Sequence, residues 1–320
     1  MFDDAVKGVI LPILVTRGTF MHWLRRIIRV AGVALGLILL SLAFASAYLR
    51  LDKEEVFREV RGTYQDFVTL DSWESAHSRF RLLQLRNHRG DAVTNVYFRR
   101  PFELDPNYRI FLIYAGAKTR DKILTLIPER SDLVLVSVQY PYDSPDGPLE
   151  LLRWPHHIRQ AAFRTVAGGM LALSFLNLEE SLDIDRLTII GVSVGVPFAT
   201  MHGALDERAP TVVLIHGGGD LPAQARAVAE PRWLATPACV MAAILFHTFE
   251  PLRYVDRIAP RKLVMIAARD DRILPIETVK NLYARAREPK EMIWTESGHV
   301  RSKDTDLITD IVRQIDRYLE

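Results

Sequence analysis

Leu187-Thr188-Ile189-Ile190-Gly191-Val192-Ser193-Val194-Gly195 sets how the rest of the chain reads. The first four residues show no period-two polar alternation, as expected of a strand buried on both faces. The Gly-x-Ser-x-Gly after them opens a helical stretch over 196–207, with Pro197 in the first turn, where its missing N–H is harmless. Gly191 and Gly195 let the backbone turn sharply and let strand and helix approach, leaving the Ser193 hydroxyl exposed above the sheet. With 17 Gly in 320 residues, this pattern is expected by chance only roughly 0.04 times. A glycine-rich strand–helix turn without chemistry is the alternative, and the flanking strand and helix weigh against it.

Outward from this turn, short apolar runs at 110–114, 133–138, 212–215, 263–267 and 292–294 alternate with helical stretches. Those stretches lie at 121–130, about 149–180, about 223–246, 276–287 and 304–319. Such alternation predicts one α/β domain over 80–320, built on a mainly parallel, doubly wound sheet covered on both faces. Residues 80–86 and 92–98 flank Asn87-His88-Arg89-Gly90-Asp91 and read as a hairpin. Residues 50–79 form a charged lead-in, read as helical from Val56, Val60 and Tyr64 and ending near Asp71-Ser72.

A serine nucleophile needs a base, and in this motif class the acid and the histidine come after the serine along the chain. Asp270 and Asp271 come after the strand at 263–267, in a run ending Ile273-Leu274-Pro275, and His299 comes after the strand at 292–294 in Ser297-Gly298-His299. Each lies just past a strand's C-terminal end, where open α/β sheets place their ligands. A solvated turn histidine is the other reading of His299.

With these residues in this order, the chain resembles the α/β-hydrolase superfamily over residues 80–320. The resemblance implies Ser193 as nucleophile, His299 as base and Asp271 as acid, four residues before Pro275. Asp270 is the alternative acid, and Asp220, after the preceding strand, is a third. It also implies an oxyanion hole made by the backbone N–H of Val194 and one from Ala115-Gly116-Ala117, with Ala117 the donor by position. His216-Gly217-Gly218-Gly219 looks like an oxyanion motif but comes after the serine, so it is expected to be a strand-end loop lining the pocket. The implied activity is cleavage of a small-molecule carboxylic ester or thioester through an acyl-enzyme. Peptidase or acyltransferase chemistry uses the same parts, and a non-catalytic, membrane-anchored binding module is the rival from another class. A serine at the elbow speaks against epoxide hydrolase and dehalogenase chemistry, which in this fold uses a carboxylate nucleophile. Residues 220–260 are expected to form a short cap, with Trp233, Cys239, Met241, Phe246 and Phe249 shaping an apolar pocket or packing on the core.

No cofactor is expected. There is no phosphate loop, no GxGxxG after a strand, and neither His156-His157 nor His247 with Glu250 has zinc-ligand spacing. A single cysteine, Cys239, excludes an internal disulfide.

Residues 1–29 form a basic leader, and residues 30–49 hold no charge, a length that crosses roughly 30 Å of hydrocarbon as a helix. Arg25, Arg26 and Arg29 precede the run, so the positive-inside tendency sends the chain downstream of it to the periplasmic or extracellular side, as a single-pass, signal-anchored protein. A cleaved signal ending at Ala45-Ser46-Ala47 or Ala43-Phe44-Ala45, giving a secreted protein, is the alternative, and a buried helix of the body is a third. Met21 is a second candidate start. The first 50 residues carry six Lys/Arg against two Asp, so of the net +2 they hold +4 and leave −2 on residues 51–320. That balance excludes the basic surface nucleic acid requires.

Overall fold

The computed structural model describes residues 17–50, 54–116, 119, 122–141 and 148–319. They fall into two units divided between Arg50 and Leu51. The first is a continuous 34-residue helix, α1 (Arg17–Arg50), about 51 Å long at 1.5 Å per residue. Val30, Val33, Leu35, Leu37, Leu39 and Leu40 stand exposed on several of its sides.

The second unit begins with α2 (Glu54–Arg61), followed by β1 (Tyr64–Glu74), β2 (Ser78–Asn87), β3 (Ala92–Pro101) and β4 (Arg109–Tyr114). Next come α3 (Ile123–Leu126), β5 (Leu133–Val138), α4 (Pro148–Leu178), β6 (Leu187–Val192), α5 (Val196–Leu205) and β7 (Thr211–Ile215). The unit closes with α6 (Leu221–Val228), α7 (Ala235–Leu245), β8 (Lys262–Ala268), α8 (Ile276–Arg285), β9 (Lys290–Thr295) and α9 (Thr305–Leu319). One nine-stranded sheet runs β1-β2-β3-β5-β4-β6-β7-β8-β9. β1 to β3 form an antiparallel meander, β3 pairs antiparallel with β5, and the strands from β5 to β9 are parallel.

Three expectations need correction. The lead-in at 50–79 is not one helical segment. Gly62 takes the left-handed φ of 58° and donates its amide to Arg58 O, ending α2 as a C-terminal glycine does. The aromatic and β-branched run after it pairs with β2, from Tyr64 opposite Asn87 to Glu74 opposite Arg79. The stretch 121–130 yields only one helical turn, α3, because Pro128 forces Ile127 into an extended conformation. The stretch 223–246 divides into α6 and α7 around Ala229-Glu230-Pro231.

Side-chain alternation along the strands sorts the core into two layers. On β4, Ile110, Leu112 and Tyr114 face the layer that holds α4, α5 and α8. Phe111 and Ile113, with Ala115 just beyond, face α3 and α9. The helix segment His156–Leu178 is apolar and long enough to cross a membrane, but it is mostly buried inside this unit and serves as a core helix.

The thin α3 layer depends on a buried cation. Arg99 on β3 is fully buried, and its guanidinium donates to the carbonyls of Leu124, Ile127 and Pro128. The Leu124 and Ile127 carbonyls are among those a one-turn helix leaves without intrahelical partners, and Pro128 follows its C-cap. Burial lowers the Arg99 pKa to about 10, still charged at neutral pH. Arg99→Leu is expected to lower unfolding free energy by about 2–4 kcal/mol, because two buried carbonyls and a part-buried one lose their donor. Urea denaturation measures it, and a loss below about 1 kcal/mol would mean that the carbonyls find other partners.

Candidate active site

Ser193 comes directly after β6 with φ 54°, in the left-handed region a side chain rarely occupies. Such a conformation costs on the order of 1–3 kcal/mol and persists only where its surroundings impose it. The two glycines impose it by close approach. A Cβ on Gly191 would lie 2.6 Å from Ala199 Cβ, and one on Gly195 only 1.9 Å from the Tyr114 carbonyl oxygen. The elbow is therefore pressed against both α5 and the end of β4.

Three strand ends bring the candidate side chains together. Ser193 Oγ lies 2.8 Å from His299 Nε2, and His299 Nδ1 lies 2.6 Å from Asp271 Oδ2. The other carboxylate oxygen of Asp271 accepts the amides of Ile273 (2.8 Å) and Leu274 (3.0 Å) in its own turn. Burial works to raise the Asp271 pKa, but the hydrogen bonds from His299 and the two amides outweigh it and hold the carboxyl below the ordinary value. Ionised, it accepts the Nδ1 proton, which leaves the Nε2 lone pair for Ser193. Only 6% of the Asp271 side chain and 11% of the His299 side chain are exposed, so water screens the pair little.

The alternative acids lie elsewhere. Asp270 is exposed, and its backbone amide donates to Ser297 O, tying the acid loop to the histidine loop. Asp220 accepts from the Ala223 amide as the N-cap of α6. Of the expected oxyanion donors, Val194 lies in the turn after Ser193. Ala117 lies outside the described residues. Before it, the Ala115 carbonyl accepts from the Tyr140 hydroxyl, a brace on this loop that the sequence did not reveal.

The His216 loop corrects another expectation. Its glycines serve close packing: a Cβ on Gly217 would lie 2.3 Å from Val196 Cγ2, and one on Gly218 2.6 Å from Thr278 Oγ1. His216 is buried, with its ring centroid 6.0 Å from that of His299. Its Nδ1 accepts the Val300 amide at 2.9 Å, so it holds the residue next to His299. Sequence reasoning found the histidine but missed this positioning contact, because residues 216 and 300 meet only through strand order.

Beside Ser193 lies a cavity of about 420 Å³ between the sheet and the α3 and α9 layer. None of the residues described as lining it comes from 220–260. In that segment Trp233 and Met241 are exposed, and Phe249 is buried against Phe57 and Phe163. Among the described residues no cluster of three His, Cys, Asp or Glu side chains could hold a metal.

Burial, reinforced by His299, lowers the His216 pKa to about 4 from an ordinary 6.5. The unfolded chain therefore takes up this proton at a higher pH than the folded one, and stability falls as pH drops from about 6.5 toward 4. Protonation also converts Nδ1 from acceptor to donor against the Val300 amide. His216→Gln is expected to flatten the fall in urea midpoint between pH 7 and 4.5; an unchanged slope would show that other groups carry it.

No protein-family model matches the sequence, and no curated protein sequence does. Solved structures do match. An acetyl xylan esterase from Paenibacillus sp. R4 superposes with a TM-score of 0.61 at 15% identity, covering 82% of this chain and 92% of that one. Acetyl xylan esterase 1 from Thermoanaerobacterium sp. JW/SL YS485 gives 0.59 at 12% identity, covering 85% and 98%. A puromycin-hydrolyzing peptidase of Mycobacterium tuberculosis gives 0.55 at 16% identity, covering 77% of this chain and 39% of that one. At such identities the likeness speaks for architecture, and with the strand order and the elbow it establishes that this chain has the α/β-hydrolase fold.

Proposed function

We propose that this chain is a serine hydrolase that cleaves a carboxylic ester or thioester through an acyl-enzyme. The observation that carries the reading is the hydrogen-bonded series Ser193, His299, Asp271 at three strand ends. As Ser193 Oγ attacks the substrate carbonyl carbon, His299 Nε2 takes its proton, and Asp271 holds the imidazole and stabilises the imidazolium. The carbonyl oxygen becomes an oxyanion facing the Val194 N–H, with Ala117 as the expected second donor. Collapse expels the alcohol or thiol, which receives the proton from His299. Water, deprotonated by the same imidazole, then attacks the acyl carbon and frees the acid and Ser193. The esterases of similar fold fit this reading.

We further propose that α1 crosses a membrane as a retained anchor and that the hydrolase unit lies on the translocated side. Support comes from the 20 uncharged residues at 30–49, from the exposed apolar side chains along α1, and from Arg25, Arg26 and Arg29 before them.

Three outcomes test these readings. A fluorophosphonate should label the full chain and not Ser193→Ala. In the same preparation Asp271→Asn should cut p-nitrophenyl acetate turnover by roughly two to four orders of magnitude, with Asp270→Asn mild. An unlabelled, folded wild type, or equal losses in the two aspartate variants, would overturn the assignment. For topology, a reporter fused after Glu320 should behave as translocated; a cytoplasmic reporter would refute the orientation, and a mature N-terminus near Tyr48 would replace the anchor with a cleaved signal.

A further inference from the structure

The cavity beside Ser193 is unlike a site for a small acyl group. It runs down the face of the sheet, lined by Phe111 and Ile113 of β4, by Ala115 beyond that strand, by Ile190 and Val192 of β6, and by Ile215 at the end of β7. Its far wall is α9, through Ile308, Ile311, Val312 and Ile315, with Ile123, Leu126 and Ile127 at α3. Among the described residues no charged side chain lines it below the rim, where Arg301 and Ser302 join Ser193, Gly116 and Thr119. The direction of α9 is fixed at its far end. Asp316 pairs with Arg109 at the start of β4, and Lys262 at the start of β8 donates to the Tyr318 carbonyl. Ile308 is therefore near the Ser193 end, and Ile315 is deep among the fully buried Phe111 and Ile127.

The dimensions set the occupant. From Ala115 back to Phe111 the cavity spans four strand steps, about 13 Å at roughly 3.3 Å each. From Ile308 to Ile315 it spans seven helix steps, about 10 Å. A zigzag hydrocarbon with bonds of about 1.5 Å and angles near 111° advances about 1.25 Å per carbon, so eight to ten carbons fill this length. The deep end lies in the core, which suits the group that stays attached to Ser193 after the leaving group departs. Resting on the serine-hydrolase reading above, we infer that the substrate carries a medium-chain acyl group of about eight to ten carbons, seated between the sheet and α9 with Ile315 closing its far end.

The test is a chain-length profile of p-nitrophenyl esters, from acetate through octanoate and decanoate to palmitate, on the full chain in lipid nanodiscs. Each methylene up to about C8–C10 is expected to raise kcat/KM by roughly two- to fourfold, with octanoate or decanoate more than tenfold above acetate and palmitate lower again. Ile315→Phe, filling the deep end, should move the optimum to about C6, and Ile308→Phe, nearer Ser193, should move it shorter still. In both, the decanoate-to-acetate ratio should fall more than tenfold. A wild-type profile that declines from acetate onward overturns the inference while leaving the hydrolase reading intact, as does an unchanged ratio in both folded variants. If either variant fails to fold by circular dichroism, the wild-type profile and the other variant decide. Absence of turnover at every chain length, with no fluorophosphonate labelling, overturns both readings.

Discussion

The close approach of Gly195 to the Tyr114 carbonyl is the constraint on which the rest of the site depends. With a Cβ position only 1.9 Å from that oxygen, no other residue lets the elbow seat against the end of β4. Seating it there has two consequences. It holds Ser193 in a left-handed conformation that the residue would not choose alone. It also sets Ala115 and Gly116 beside the serine, with the Tyr140 hydroxyl donating to the Ala115 carbonyl. Local backbone strain is thus supported by packing between two strands that are neighbours in the sheet but far apart in sequence.

A second level of support comes from the far side of the sheet. His299 sits on a loop with few regular backbone bonds of its own, and three contacts steady it. Asp271 holds its ring, His216 holds the amide of the next residue, and the Asp270 amide ties the two loops through Ser297. Asp271 is itself fixed by the amides of its turn, so its ionised state and its orientation have the same cause. Burial that keeps His216 uncharged also keeps its acceptor nitrogen available.

The two core layers carry unequal duties. The α4, α5 and α8 layer is filled by large side chains and aromatic contacts such as Phe98 with Phe175. The α3 and α9 layer is thinner: α3 is a single turn held by the Arg99 guanidinium, and the space it leaves becomes the cavity at Ser193. A void of this size in an ordinary core would cost stability through lost contacts. Here it lies beside the candidate nucleophile, lined mainly by apolar side chains among the described residues.

Much of this was legible in the sequence because it depends on local order. The Gly-x-Ser-x-Gly after an apolar strand, and an Asp and a His after two later strands, need only strand–loop–helix alternation to be recognised. Asp271 was preferred to Asp270 through the resemblance, which implies an acid four residues before a proline, here Pro275. The features hidden from the sequence depend on contacts between distant segments. Residues 64–74 became a strand because Gly62 stops the helix and β2 offers an edge to pair with. His216 became a support for Val300, and the glycines after it became packing surfaces, through strand order alone. The apolar cavity formed on the α9 side, away from 220–260, because its walls come from five separate segments whose alternating side chains converge only once the sheet is assembled and covered.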